Sequence, residues 1–220
     1  SKKIKINDNI TLRDKEGFPL AVMSIQDIWE PDLYKEAELV YATKSENHPA
    51  VNYLFNISNK IYLGGKVEAF SLPRHYDYQK YRHTPRDLKS ELLKRGWEKV
   101  IAFQTRNPLH KAHVEMTMRS IKDLNAKLLL HPVVGITQDC DIDYHTRVNV
   151  YKEMVKKYPE NTVKLCLLPL AMRMAGPREA CLHALIRKNY GCTHFVVGRD
   201  HAGPSYKTKE GESFYGPYDA

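Results

Sequence analysis

After residue 84 the apolar positions of this 220-residue chain alternate between two textures. Short runs with no polar interruption, Val100–Phe103, Leu128–Val134, Val163–Leu168 and His194–Val197, have the length and composition of fully buried strands. Between them lie stretches of helical period, Pro108–Leu124, Tyr144–Tyr158 and Pro177–Tyr190. In the second of these Val148, Tyr151, Val155 and Tyr158 recur at i, i+3, i+7 and i+10, which predicts one buried stripe. A further helix is predicted from Pro85, with Thr84 as N-cap, Pro85 at N1 and Gly96 as the stop. Strands that alternate with helices predict an α/β fold with a parallel sheet covered on both faces.

The first 72 residues differ. Two strand-like runs flank the turn residues Lys15, Glu16 and Gly17, a hairpin signature. "PDLYKEAELVYAT" is helix-like, and "KIYLGGKVEAFSL" is a strand pair or one bulged strand carrying Gly64 and Gly65. These elements suggest part of a small β-barrel with too few strands to close. Residues 73–84 are polar and aromatic without hydrophobic period, the texture of a linker. No internal repeat or low-complexity tract is present.

In a parallel sheet, ligands bind beyond the carboxyl ends of the strands. That rule selects four loops, Gln104–Asn107, Gly135–Asp143, Pro169–Gly176 and Gly198–Pro204, and places them on one edge. The first joins Val100–Phe103 to a helix and holds Gln104, Thr105, Arg106 and Asn107, with His110 and His113 just after. With Asn107 as cap and Pro108 at N1, the helix start would offer backbone N–H groups to an anion. Arg106 adds a planar cation, and two histidines three apart share one helix face. A zinc helix needs histidines four apart with a glutamate between; here Lys111 and Ala112 stand between them, so no protein-bound metal is expected. The fourth loop, "GRDHAGP", sets Gly198, Arg199, Asp200, His201 and Ala202 on the same edge, where glycines let backbone approach a ligand. "MRMAGPREA" is a third candidate, equally readable as a helix start punctuated by Gly176-Pro177. No Gly-rich cradle ending in Gly-Lys-Ser or Gly-Lys-Thr occurs, which excludes a P-loop.

Net charge is +8, from 34 basic and 26 acidic side chains. The basic residues are spread along the chain, which suits small anions and a solvated surface better than a nucleic-acid stripe. No apolar run approaches the roughly 18 residues that span a bilayer, so no membrane partner is expected. The first residues lack the apolar core of a signal peptide. They also lack an initiating Met, which hints at a fragment boundary. Four scattered cysteines without CxxC spacing are those of reduced thiols in a cytoplasmic protein.

Three motifs in order, "QTRNPLHKAH", "MRMAGPREA" and "GRDHAGP", resemble those of the ATP sulfurylases, and the resemblance extends over the chain through "YLGGKVEAFSLPRH" to "FYGPYDA". It implies part of a PUA-like β-barrel domain over 1–72, a linker over 73–84, and a Rossmann-like nucleotidyltransferase domain over 85–220 that stops short of the family's C-terminal end. The implied reaction transfers the adenylyl group of ATP, as its magnesium complex, to sulfate, giving adenosine 5′-phosphosulfate and pyrophosphate. Carried over by position, Gln104, Arg106 and the backbone N–H of Ala202 hold sulfate. Gln104, Thr105, Arg106 and Asn107, with Gly198, Arg199, Asp200 and His201, contact ATP. Thr105, Arg106 and Asn107 are catalytic positions, and His110 and His113 stabilise the transition state. A homo-oligomer is also implied. Three alternatives stand beside this reading: an adenylyltransferase with another acceptor, an RNA-binding module, and an inactive fragment or subunit of such an enzyme.

Overall fold

The computed structural model describes residues 3–138 and 140–220, and they form two compact units. One comprises the residues up to Glu46 together with Val51–Gln79; the other comprises Asn47–Ala50 and Lys80–Ala220.

The first unit is built on an antiparallel sheet in the order β1 (Asn9–Arg13), β2 (Pro19–Trp29), β3 (Tyr62–Ala69). Asp14 makes the β1–β2 turn: its carboxylate accepts the N–H groups of Glu16 and Phe18 at 3.0 and 2.8 Å. Gly17 supplies the positive φ of 92° that the turn needs. "KIYLGGKVEAFSL" forms one strand, and the bulge lies opposite it, in β2 between Ile25 and Asp27. Helix α1 (Leu33–Tyr41) starts at Asp32, whose side chain accepts Lys35 N–H. Helix α2 (Pro49–Asn52) runs into a wide π-type turn over Tyr53–Ile57, which the hydrophobic pattern did not foretell.

The second unit contains a four-stranded sheet in the order β6 (Val163–Leu165), β5 (Lys127–Leu130), β4 (Val100–Phe103), β7 (His194–Val196), and every pair is parallel. The strands are shorter than the apolar runs. β5 stops at Leu130 because Pro132 has no N–H for the ladder, and pairing resumes only as a single bridge between Val133 and Leu168. All four β4 residues are buried, as a strand covered on both faces requires. Val100 and Ala102 pack with Leu88 and Leu92 of α3 (Pro85–Lys94), and Ile186 of α6 (Pro177–Asn189) lies against the same cluster. Phe103 faces the other way, against His113 of α4 (Lys111–Leu124), with ring centroids 5.5 Å apart. Helix α5 (Tyr144–Val155) presents most of the expected stripe: Val148 and Tyr151 are buried, Val155 is half-buried, and Tyr158 is buried in the turn that follows.

Thr84 caps α3 as expected, accepting Asp87 N–H at 3.2 Å. The start of α4 departs from expectation. The helix begins at Lys111 with His110 in the N-cap position, so Asn107 does not cap it and Pro108 is not N1. The reason is local: Asn107 N–H donates to Thr105 Oγ1 at 3.0 Å, and Asn107 O accepts both Thr105 Oγ1–H and Tyr151 O–H at 2.8 Å. Its backbone is spent on a tight turn, and three residues without regular structure, the last of them His110 in an extended conformation, precede the helix.

Leu129 is fully buried at the centre of the cluster under β5. Truncating it to Ala is expected to cost about 2–5 kcal/mol. Chemical denaturation followed by tryptophan emission, with Trp97 in the same cluster, reads this directly; a loss below about 1 kcal/mol would contradict the packing described.

Candidate functional site

The chain enters the parallel sheet at β4, builds outward through β5 and β6, and then crosses back to the other flank of β4 as β7. The order therefore reverses at β4. The loops after β4 and β7 leave neighbouring strands and open a crevice at the carboxyl edge, the usual ligand position in such sheets. A cleft of about 190 Å³ lies there. It is lined by Gln104 to Asn107, His113, Met172 and Gly198 to Gly203, with Phe103 and Val196 as apolar walls.

Of the residues singled out from sequence, Gln104, Thr105, Arg106, Asn107, His113, Gly198, Arg199, Asp200, His201 and Ala202 all line this cleft. His110 does not. It is exposed and stacks on His113, ring centroids 3.8 Å apart. The "MRMAGPREA" segment serves in both of its readings: Met172 lines the cleft, and Gly176-Pro177 begin α6. Gly176 has φ +54°, and a Cβ there would sit 2.5 Å from the Tyr215 ring. Its N–H donates to Ala202 O at 3.1 Å, which ties the loop before α6 to the loop after β7.

Two buried polar atoms of the cleft have no hydrogen-bond partner among the described residues: Gln104 Oε1 and His113 Nδ1. Such atoms are costly in a folded protein unless a ligand or water completes them. An amide flip exchanges the Gln104 oxygen for its NH₂, so this position can offer a donor. Burial, and after it the neighbouring His110, lowers the His113 pKa below its ordinary value. His113 is then neutral at pH 7, an imidazole able to donate or accept a hydrogen bond. Thr105 is buried and its hydroxyl is spent within the turn.

Behind the cleft lies a polar chain that joins two of the motifs through His183, a residue that no motif contained. Glu179 accepts the N–H groups of Arg173 and Ala175 at 2.9 and 3.0 Å, and its carboxylate is 3.3 Å from His183 Nε2. His183 Nδ1 lies 3.1 Å from His201 Nε2. Burial works to raise the Glu179 pKa, but His183 and the two N–H groups outweigh it and keep the carboxyl ionised. Burial, with His183 and Arg187 nearby, pushes His201 down to about 4. The loop after β5 is shaped by Arg147, whose Nε donates to Ile142 O and Nη1 to Val133 O, both at 2.8 Å. Within that loop, Asp139 lies outside the described residues. Among the described residues no group of three or more His, Cys, Asp or Glu side chains converges on one point.

The ATP-sulfurylase family model matches residues 79–220, and the model of a PUA-like domain matches residues 1–72. The chain belongs to the ATP-sulfurylase family. It is 54% identical over 220 residues to a sulfate adenylyltransferase of Eremothecium gossypii, covering all of this chain and 44% of that protein. It is 53% identical over 220 residues to that of Saccharomyces cerevisiae, again over the whole chain and 43% of the relative. The figure for Schizosaccharomyces pombe is 50% over 219 residues, 99% of this chain and 44% of the relative. Members of the ATP-sulfurylase family in these yeasts are thus more than twice as long as this chain. A solved structure described as a hexameric APS kinase from Thiobacillus denitrificans superposes with a TM-score of 0.71 at 29% identity, over 89% of this chain and 34% of that one. The family carries its α/β sheet and PUA-like sheet here as the three sequence motifs implied. No helix among the described residues is long and apolar enough to cross a membrane.

Neutral buried imidazoles make the fold acid-sensitive. Burial lowers His131 well below 6.5 and lowers His48, and His201 falls to about 4. Below an unfolded pKa of about 6.5 the unfolded chain takes up protons that these groups refuse, so stability present at pH 7 is lost as pH falls. The unfolding free energy is expected to decline steadily from pH 7 to pH 5, with the ring signals of His201 not titrating over that range in NMR. A flat stability profile, or a His201 midpoint near 6.5, would contradict this arrangement.

Proposed function

We propose that the protein transfers the adenylyl group of MgATP to sulfate, giving adenosine 5′-phosphosulfate and pyrophosphate by direct in-line displacement. The observation that carries this reading is the cleft at the β4–β7 switch point, where Arg106 and the unpartnered polar atoms of Gln104 and His113 line one small cavity. In this reading Gln104, Arg106 and the Ala202 backbone N–H hold sulfate. Residues 104–107 and 198–201 take the nucleotide, with magnesium arriving as part of the substrate. His113 donates to charge that builds on the transferring phosphoryl oxygens, and His110 supports it through the stacked ring. Thr105 fixes the turn that presents Arg106 and Asn107.

The chemistry asks for little more. Sulfate is fully ionised at neutral pH and needs no general base, and pyrophosphate leaves without a strong acid. The difficulty is holding two polyanions in line and supporting charge at the α-phosphorus, which positioning and preorganised donors accomplish. The cleft fits that demand, since its one buried hydroxyl, Thr105, is already bonded to Asn107 on both sides. The spread of 34 basic over 26 acidic residues suits anionic substrates rather than nucleic acid. A cytoplasmic setting is in keeping with four unpaired cysteines, and a homo-oligomer with the hexameric description of the solved relative.

The test is pyrophosphate release from MgATP with no acceptor, with sulfate, and with molybdate, a tetrahedral oxyanion of the same charge. Release driven by either oxyanion is expected. Arg106→Ala should reduce it on the order of a hundred- to a thousandfold, the usual cost of losing one preorganised donor. Release that is indifferent to oxyanion, or a loss below about tenfold in Arg106→Ala, would contradict the assignment. Inversion is expected at a chiral α-phosphorus; retention would indicate an adenylyl-enzyme. The share of the relatives that these residues span favours one second reading, in which they bind the substrates but turn them over only within a longer protein. Sulfate binding that is lost in Arg106→Ala, without turnover, would select it.

A further inference from the structure

His201 lines the cleft, and its ring is also tied to the protein behind it. Its Nε2 lies 3.1 Å from His183 Nδ1. His183 Nε2 lies in turn 3.3 Å from Glu179 Oε1, a bent contact outside straight hydrogen-bond geometry. Both inner side chains are buried, Glu179 at 2% and His183 at 0% exposure. The His201 ring also stands nearly perpendicular to the Phe195 ring, centroids 5.3 Å apart, which holds its plane. No other hydrogen bond engages this ring among the described residues, so Nδ1 is the nitrogen left for a ligand.

Two hydrogen-bonded imidazole nitrogens share one proton, so the state of His201 follows from that of His183. Glu179 is ionised and fixed by the N–H groups of Arg173 and Ala175. A bare lone pair on His183 Nε2 would set two electron-rich atoms against each other, so that nitrogen carries hydrogen. Arg187, fully buried one turn along α6, already sets a positive charge against this carboxylate. A second proton on His183 would add uncompensated charge to the same buried cluster. His183 Nδ1 is therefore the acceptor, His201 Nε2–H donates to it, and His201 Nδ1 keeps its lone pair.

We infer that Glu179, acting through His183, is a positioning residue that fixes the tautomer of His201. His201 Nδ1 is thereby a hydrogen-bond acceptor for a donor group of the nucleoside, a ribose hydroxyl or the exocyclic amine of the base. This rests on residues 198–201 taking the nucleotide, as proposed above. Phosphate and sulfate oxygens are acceptors themselves and gain nothing from a bare ring nitrogen. The cleft is thus divided by chemistry: Gln104 and Arg106 offer donors to oxyanions, and His201 orients the uncharged part of the substrate. Setting the tautomer in advance spares the ligand the cost of selecting it.

The first arm of the test needs no ligand. Long-range proton–nitrogen NMR correlation on the parent chain at pH 7 separates bare from protonated ring nitrogens. A bare Nδ1 and a protonated Nε2 are expected at His201; the reverse, or an average of the two, would overturn the proposal. The second arm measures binding of ATP, 2′-deoxy-ATP, 3′-deoxy-ATP and inosine triphosphate by calorimetry, the last having a carbonyl in place of the amine. One analogue is expected to bind about tenfold more weakly than ATP, the effect of one lost hydrogen bond, and it identifies the donor. Equal binding of all four would overturn the acceptor role. His201→Ala and His183→Leu, each first shown to be folded by its thermal transition, should reduce that discrimination to within about twofold. In His183→Leu both tautomers of His201 should be populated. A uniform loss for all four nucleotides in His183→Leu, with discrimination kept, would overturn the proposal in favour of a structural role alone. If His183→Leu does not fold, the parent spectrum and His201→Ala decide. ATP that fails to bind the parent at all would refute the nucleotide half together with the proposed function, and the spectrum alone then decides whether Glu179 and His183 set the tautomer.

Discussion

β4 is hydrogen-bonded on both flanks, to β5 and to β7, because the chain lays it down first and returns to its free side only after building β5 and β6. The parallel direction of all four strands puts every following loop at one edge, and the reversal of order at β4 separates the loops after β4 and β7. The position of the cleft follows from this connectivity. The strands that create it are short, with three or four residues each, and β4 is buried throughout, so the loop after it starts directly at the hydrophobic cluster. Thr105, Met172 and Ala202 all line the cleft while being buried, which ties its floor directly to the core.

Electrostatically the cleft is not a pool of loose positive charge. Arg106 is matched by Asp141, His113 is held neutral by burial, and His201 is held neutral by burial beside His183 and Arg187. What remains for a ligand is the exposed Arg199 guanidinium and a set of directed donors and acceptors in a cavity with apolar walls. This is the arrangement that raises the value of each hydrogen bond while limiting indiscriminate attraction of anions.

Much of this was legible in the sequence, because period and motif each carry physical content. The apolar runs gave the strands, and the Thr84-Pro85 pair gave the start of α3. Of the four loops that the rule for parallel sheets selected, three contribute residues to one cleft, and the described residues of Gly135–Asp143 do not line it. Two features lay beyond that reasoning. Asn107 before Pro108 has the local chemistry of a helix cap, but Thr105 and Tyr151 claim its backbone from 2 and 44 residues away. Capping rules see only neighbours, so the later start at Lys111 was invisible to them. The same limit hid the pairings of Asp141 with Arg106, of Gln138 with Ser205 and of His183 with His201, although Asp141 and Gln138 lie in a loop that the sheet rule selected. Each becomes informative only when the fold brings it to a partner from another loop. Pro132 is the opposite case: its missing N–H was on view in the apolar run, and it cuts β5 short.

The account stands on the claim that the crevice at β4 binds a tetrahedral oxyanion through Arg106 and Gln104. The direct measurement is an NMR titration with sodium sulfate, following the Arg106 side-chain Nε–H and the Gln104 side-chain amide, with sodium chloride at matched ionic strength as the reference. The account predicts saturable shifts at both groups with one common affinity, none at Leu88 or Leu92 of α3, and no comparable saturation by chloride. Shifts that never saturate, or that chloride reproduces equally, would contradict it.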